Sequence, residues 1–305
     1  MARWTADEIP DLSGRTAVVT GGNSGIGYHT ALELARHGAR VVVASRSGDK
    51  GRAAVKQIKD ATSGAAVVEW AGLDLANLAS VRDFATHFDG PLDLLVNNAG
   101  VMMVPRQLTA DGFEMQLGTN HLGHFALTGL LLPALLAATG GVPPRVVTVS
   151  SGEHHKGTMD FDDLMGERTY GQMRAYQQSK LANLLFTFEL QRRADTAGVN
   201  LLSVAAHPGF ASTNLGHSGN PLMALAVRVA QLAAQPAAQG ALPTLCAATA
   251  PDVQGAEYFG PDGRGEQRGY PQRVRASAAA QDEAAAKRLW DESEKLTGVR
   301  YEALA

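Results

Sequence analysis

The sequence predicts an α/β fold, a doubly wound (Rossmann) parallel sheet of about seven strands with helices on both faces, and three observations carry that expectation. Short Val- and Leu-rich runs alternate with helical segments from residue 16 onward. Most of those runs are continuous rather than alternating in polarity, as strands buried on both faces should be. The first run also meets spaced glycines, Thr20-Gly21-Gly22-Asn23-Ser24-Gly25-Ile26-Gly27, ahead of an apolar-periodic segment at Ala31 to Ala35. Strand, tight turn and helix form the opening unit of such a sheet, and right-handed crossovers complete it.

Residues 1–14 form a polar lead-in, and residues 15–305 read as one domain, since no repeat, low-complexity run or Pro/Gly-rich linker divides them. Strands are expected at Thr16–Thr20, Arg40–Ser45, Ala66–Leu73, Leu92–Asn97, Arg145–Ser150, Asn200–Ala206 and Glu257–Phe259. Helices are expected at Leu78–Phe88 and Tyr176–Ala197, with a buried one over Phe125–Ala138, too short and too broken by Pro133 to span a bilayer. The stretch 211–240, a polar loop followed by an amphipathic helix, is placed to act as a lid over a pocket. The Ala-rich tail Ala278–Thr297 is a further helix, with Lys295 suited to its negative end and Gly298 to C′.

Composition narrows the partners. With 305 residues, 45% hydrophobic and net charge −3, the chain is that of an ordinary globular protein, and its slightly acidic balance argues against nucleic acid. The N-terminal octet lacks the apolar core of a signal peptide, so no integral membrane segment is expected and cytoplasm is the default. The single cysteine, Cys246, permits no internal disulfide and sits in an apolar context suited to an inert thiol.

Gly21 turns the chain off the first strand, Gly25 lets backbone approach a ligand closely, and Gly27 lets helix pack on strand. The N–H groups opening that helix face an anion favoured by the helix dipole, so the turn is built for a pyrophosphate. Tyr28, standing where a Lys would follow, excludes a Walker loop. The second strand ends Ala44-Ser45-Arg46 with no carboxylate to accept from a ribose 2′-OH. A small Ser45 and a cationic Arg46 suit a 2′-phosphate instead, which favours NADP(H), with NAD(H) as the alternative.

Tyr176 and Lys180 lie four apart in a helical pattern and so share a face. A nearby ammonium lowers a phenol's pKa from ~10 toward 7–8 at roughly 3–4 kcal/mol, enough to let it trade protons with an alcohol or carbonyl oxygen. The strand ending Val149-Ser150-Ser151 presents two serines at the end where doubly wound sheets place their sites, either of which could bond a substrate oxygen. Asn97-Asn98-Ala99-Gly100 and His207-Pro208-Gly209 end two further strands. Rival chemistries find less support: His121, His124, His154 and His155 lack carboxylate partners in ligand spacing, so no metal is expected, and no G-x-S-x-G elbow marks a serine hydrolase. A dinucleotide-binding protein without turnover would require a broken set, whereas Asn120, Ser151, Tyr176 and Lys180 are all present.

Together, in order, these motifs resemble the short-chain dehydrogenase/reductase family over about residues 14–300. The resemblance implies that Tyr176 is the acid/base, that Lys180 lowers its pKa and binds the nicotinamide ribose, and that Ser151, the second of the pair, orients the substrate oxygen. Asn120 would hold a proton-relay water near Lys180. Gly21, Asn23, Ser24, Gly25, Ile26 and Gly27 would form the cofactor turn, with Ser45 and Arg46 at the ribose, Asp74 and Leu75 at the adenine, and Asn98, Ala99 and Gly100 along the adenosine ribose. Pro208 and Gly209 would join the cofactor set, with the Ala211 backbone at the carboxamide and Thr213 at the phosphates. The segment Asn120-His121-Leu122-Gly123-His124-Phe125, the segment Ser179-Lys180-Leu181-Ala182-Asn183 and the 25-residue spacing from Ser151 to Tyr176 are similar to the retinol-dehydrogenase-like branch. That similarity implies carbonyl–alcohol interconversion on a small lipophilic substrate, in a family whose members are often homodimers or homotetramers. Met102, Met103, Val104, Phe210, Leu222 and Met223 are the expected apolar pocket walls.

Overall fold

The computed structural model describes residues 3–210 and 235–304. One eight-stranded sheet runs through it: β1 (Thr16–Thr20), β2 (Arg40–Ser45), β3 (Val68–Gly72), β4 (Leu94–Asn97), β5 (Arg145–Val149), β6 (Leu202–Ala206), β7 (Tyr258–Pro261) and β8 (Pro271–Arg273). Their spatial order is β3-β2-β1-β4-β5-β6-β7-β8. The first seven are parallel, and β8 adds antiparallel to β7 through Phe259↔Arg273 and Pro261↔Pro271. The eighth strand corrects the count of seven. Its sequence, Pro-Gln-Arg, has no apolar signature because it is a half-exposed edge, where a leading Pro is tolerated.

Helices α1 (Gly25–Arg36), α2 (Gly48–Ala61), α3 (Leu78–His87), the single turn α4 (Met115–Leu117), α5 (Gly123–Leu136), α6 (Gln172–Thr196), α7 (Ala237–Thr249) and α8 (Glu283–Thr297) cover the sheet. The expected tail helix splits. A 3₁₀ turn over Ala278–Gln281 precedes α8, which begins where the Asp282 carboxylate accepts from the Ala285 N–H at 3.0 Å and ends at Gly298 with φ +63°. Asn77 caps α3 in the same way, accepting from the Ala79 N–H at 2.9 Å.

Successive strand residues point to opposite faces, which separates two apolar layers. Val19, Val43, Val96 and Val147 pack with Leu34 of α1 and Leu245 and Cys246 of α7. Their neighbours Val18, Val42, Leu95 and Val146 pack with Phe125 and Leu131 of α5 and Phe186 and Leu190 of α6. Helix α5 is apolar all round because it is covered twice, by the sheet and by the C-terminal segment. The Phe125 ring lies 5.1 Å from Trp290 and 5.0 Å from Tyr301, whose hydroxyl donates to the Phe125 carbonyl at 2.6 Å. Gly129 makes room for that tail, since a Cβ there would come within 2.7 Å of Tyr301 and Val299. Among the described residues no helix is long and apolar enough to cross a membrane.

Trp290 is 2% exposed and bridges α8 to α5 and α6. Trp290→Ala is therefore expected to cost about 3–5 kcal/mol, read as a lowered urea midpoint with an unchanged far-ultraviolet spectrum before the transition.

Candidate active site

Because β1 to β7 are parallel, their carboxyl ends converge on one edge, and the glycine turn, the Asn98–Gly100 loop, Ser150-Ser151 and His207-Pro208-Gly209 each begin where a strand stops. Gly21 follows β1 at φ +66° and Gly25 opens α1 at φ +57°. Gly27 is pressed so closely onto the turn that a Cβ would lie 2.4 Å from Asn98 Nδ2 and 2.5 Å from the Gly21 carbonyl oxygen. The Ser24 side chain leaves the first turn of α1 uncapped, so its N–H groups face outward over this cradle. Turn and neighbouring loop are stitched together by Thr20, whose hydroxyl accepts from the Asn98 and Ala99 N–H groups, both at 2.9 Å, while Asn98 Nδ2 donates to the Thr20 carbonyl at 2.7 Å.

Helix α6 is docked onto the end of β5 by three bonds. The Val149 carbonyl accepts from Lys180 Nζ at 3.1 Å and from Asn183 Nδ2 at 3.0 Å, and Ser150 Oγ donates to the Lys180 carbonyl at 2.8 Å. This brings Lys180 Nζ to 5.7 Å from the centre of the Tyr176 ring and sets the Tyr176 hydroxyl in hydrogen-bond contact with Ser151. Ser150 is thus engaged by the helix, and Ser151 is the one of the pair that meets the tyrosine. Asn120 approaches from a π-helical turn over Gly118–Leu122. Its Oδ1 accepts from the Val101 N–H at 2.8 Å, and its Nδ2 donates to the Val101 carbonyl and to Ser179 Oγ, both at 2.9 Å. Asn120 Oδ1 and Lys180 Nζ both flank Gly100, at 3.1 and 3.6 Å from where a Cβ would sit.

The sequence model described as short chain dehydrogenase matches residues 15–222. The chain belongs to the short-chain dehydrogenase family. Human retinol dehydrogenase 13 is 44% identical, the match covering 94% of this chain and 86% of that protein. Mouse polyprenol dehydrogenase is 43% identical, covering 95% and 86%. A crystal structure of an uncharacterized protein from Mycobacterium paratuberculosis is 46% identical and superposes with a TM-score of 0.83 over 98% of this chain and 99% of that one. This short-chain dehydrogenase is accordingly of the retinol-dehydrogenase-like kind, an oxidoreductase of a family that binds a nicotinamide dinucleotide.

Electrostatics in this short-chain dehydrogenase differ from the sequence expectation. Burial pushes the Tyr176 phenol up to about 12, against the opposing hydrogen bond from Ser151, and with the Glu153 charge adding to the rise. Burial also lowers the Lys180 ammonium to about 8. The expected fall of the phenol toward neutrality is therefore corrected: desolvation is the largest influence on each group, and the Lys180 ammonium, 5.7 Å from the ring centre, is not among those that lower the phenol.

At the outer end of the cradle, Ser45 is buried and its Oγ accepts from Trp70 Nε1 at 3.2 Å. Arg46 stands exposed beside it and makes no ion pair or hydrogen bond among the described residues, whereas Arg52 is engaged by Asp49 and stacked 5.0 Å over Trp70. Asp74, just past β3, accepts from the Ala76 N–H at 3.0 Å, and the Leu75 carbonyl packs against Gly123. Pro208 and Gly209 (φ +66°) follow β6, where His207 bonds Glu266 at 2.9 Å. Ala211, Thr213, Leu222, Met223 and the expected lid over 211–240, apart from 235–240, lie outside the described residues.

Several supporting residues escaped the sequence reading. Gln116 is fully buried, accepts from the Met103 N–H and donates to Tyr170 Oη and the Gln172 carbonyl, holding the loop that carries Met102 and Met103. Met103 sits at φ +53°, which this bracing sustains. Nothing in local sequence marks a glutamine as structural; only its distance from water does.

Gly27→Ala sets a methyl against the Gly21 carbonyl, a contact that the turn can relieve only by moving. We expect a stability loss of about 1–3 kcal/mol in urea together with a collapse of affinity for reduced nicotinamide dinucleotide in a fluorescence titration, whereas Gly64→Ala, at an open surface turn, should spare the affinity.

Proposed function

We propose that this short-chain dehydrogenase is an NADP(H)-dependent oxidoreductase that interconverts a carbonyl and an alcohol on a small lipophilic substrate, with Tyr176 as the acid/base. One observation carries the reading: the Tyr176 hydroxyl, Ser151 and Lys180 Nζ meet at the end of β5, on the same edge as the glycine turn. Gly21 to Gly27, including Asn23, Ser24 and Ile26, would hold the dinucleotide pyrophosphate, with Asn98, Ala99 and Gly100 along the adenosine side and Asp74 and Leu75 near the base. When bound, the reduced nicotinamide supplies the hydride.

The remaining work falls to the chain. Ser151 donates to the substrate oxygen and orients it. Tyr176, held protonated by its burial, gives its proton to the oxygen that gains charge as the carbonyl is reduced. Lys180, still largely cationic at neutral pH, stabilises the phenolate left behind and bonds the nicotinamide ribose. Asn120 serves the proton relay beside it. The preference for NADP(H) rests on Arg46, the unpaired cation at the end of β2 with no carboxylate in its place. Met102, Met103, Val104 and Phe210 give apolar walls, and the relatives are named for retinol and polyprenol, both apolar alcohols.

The test is a panel of apolar aldehydes, ketones and alcohols run with NADPH and NADH in parallel. Tyr176→Phe should bind NADPH normally yet lose about two to four orders of magnitude in turnover; undiminished turnover removes Tyr176 from the reaction. Arg46→Asp should raise the KM for NADPH by at least about tenfold while leaving that for NADH little changed, since it replaces attraction by repulsion at one phosphate. A wild-type enzyme that already prefers NADH refutes the assignment.

A further inference from the structure

Two buried histidines outside the reacting set hold that set's backbone in the same way. His154 is 0% exposed and contacts only partners of fixed role. Its Nδ1 lies 2.7 Å from the Ser151 carbonyl, which can only accept, and its Nε2 lies 3.1 Å from the Ser277 N–H, which can only donate. The ring is therefore neutral, with its proton on Nδ1. A second proton on Nε2 would face an N–H.

His124, 1% exposed, repeats the arrangement. Its Nδ1 donates to the Asn120 carbonyl at 3.0 Å. Its Nε2 lies 2.9 Å from Thr20 Oγ1, which already accepts from the Asn98 and Ala99 N–H groups and so can meet the ring only as a donor, its one hydrogen shared between this nitrogen and the Val96 carbonyl at 3.2 Å. In both cases one nitrogen grips the main chain of a site residue three or four positions upstream, and the other grips a segment far away in sequence. His154 ties Ser151 to the C-terminal segment behind β8; His124 ties Asn120 to the glycine turn and its neighbouring loop.

We propose that His154 and His124 are positioning residues of this enzyme, a pair of neutral imidazole locks that fix the backbone of Ser151 and Asn120. The inference rests on the reading above, in which those two residues serve the substrate oxygen and the proton relay. Burial does most to keep His154 neutral, with the His155 ring at 4.0 Å and His207 adding to it, and the Ser151 carbonyl and Glu266 opposing them. Burial and then Lys180 do the same for His124, against the bond to the Asn120 carbonyl.

Paired substitutions separate positioning from mere support. Asparagine places its amide nitrogen near Nδ1 and keeps the bond to the upstream carbonyl; glutamine reaches the Nε2 position and keeps only the remote contact. With an aliphatic aldehyde such as nonanal and NADPH, His154→Asn should hold kcat within about threefold of wild type while His154→Gln loses about 10–100-fold, NADPH affinity being unchanged in both. The same order is expected of His124→Asn and His124→Gln. Equal kcat in each pair, or losses that follow the urea midpoint rather than the retained carbonyl bond, overturns the proposal. Nitrogen-15 spectra of the free protein give a readout independent of turnover: both rings should show the Nδ1–H tautomer with no titration between about pH 5.5 and 8. Rings that titrate near 6.5 overturn the lock itself. A wild-type protein that binds NADPH and shows both fixed tautomers, yet reduces nothing in the panel, defeats the proposed function and the positioning role together while leaving the hydrogen bonds standing.

Discussion

The carbonyl of Val149 decides where the chemistry of this protein can happen. It is the last residue of β5, so its oxygen has no further strand partner to serve, and it takes donors from Lys180 and Asn183, one turn apart on α6. A helix of 25 residues is thereby registered on the sheet by the very lysine that the reaction is read to need. Tyr176, one turn earlier on the same face, has no freedom left; it must lie against Ser151. Displacing α6 by one turn would exchange the whole set of facing side chains, which is why a few polar bonds at one strand end matter more here than the extensive apolar contact along the rest of the helix.

Burial has two consequences at this end of the sheet. It makes each polar bond stronger and each unpaired charge more costly. Lys180 is 5% exposed, and among the described residues no carboxylate pairs with it, so its charge is sustained at reduced basicity by a carbonyl alone. Histidines nearby resolve the same pressure by remaining neutral: burial lowers His121 to about 3 and both His124 and His154 to about 4. His121 donates from Nε2 to Ser293, whose own hydrogen goes to the Leu289 carbonyl, and so joins α8 to the π-helical turn that carries Asn120. Polar groups that would be liabilities in an apolar core thus become the struts between the sheet, the helices and the C-terminal segment.

The C-terminal segment joins the outer helical layer to the site. It covers α5 and α6 through Trp290 and Tyr301, and it reaches the site through the Ser277 N–H on His154. Stability of the outer layer and placement of Ser151 therefore share one stretch of chain. At the opposite end of the cradle, the Trp70 indole occupies the hydroxyl of Ser45 and packs on Gly51, leaving Arg46 as the group presented outward.

The sequence alone carried the layered architecture and named the residues proposed for the site, because both are written in local pattern. Short Val- and Leu-rich runs bounded by turns read as strands buried on both faces and the longer run of α5 as a buried helix, spaced glycines mark a turn where a Cβ cannot fit, and Tyr176 and Lys180, four apart in a helical pattern, share a face. It also carried the family, through motifs whose order along the chain is the order of strands in time though not in space. Tertiary structure alone decided the rest. Which of two adjacent serines faces Tyr176 depends on what α6 takes for itself; β8 exists only because β7 offers an unpaired edge; and the tail helix breaks where Asp282 finds its cap. The direction of the tyrosine's pKa shift was beyond any reading of residue types, since an ammonium four residues away argues for a fall and only the depth of burial shows that desolvation wins. His154 and His124 were invisible as struts for the same reason: a hydrogen bond between residues 123 or 104 positions apart leaves no periodicity in the chain.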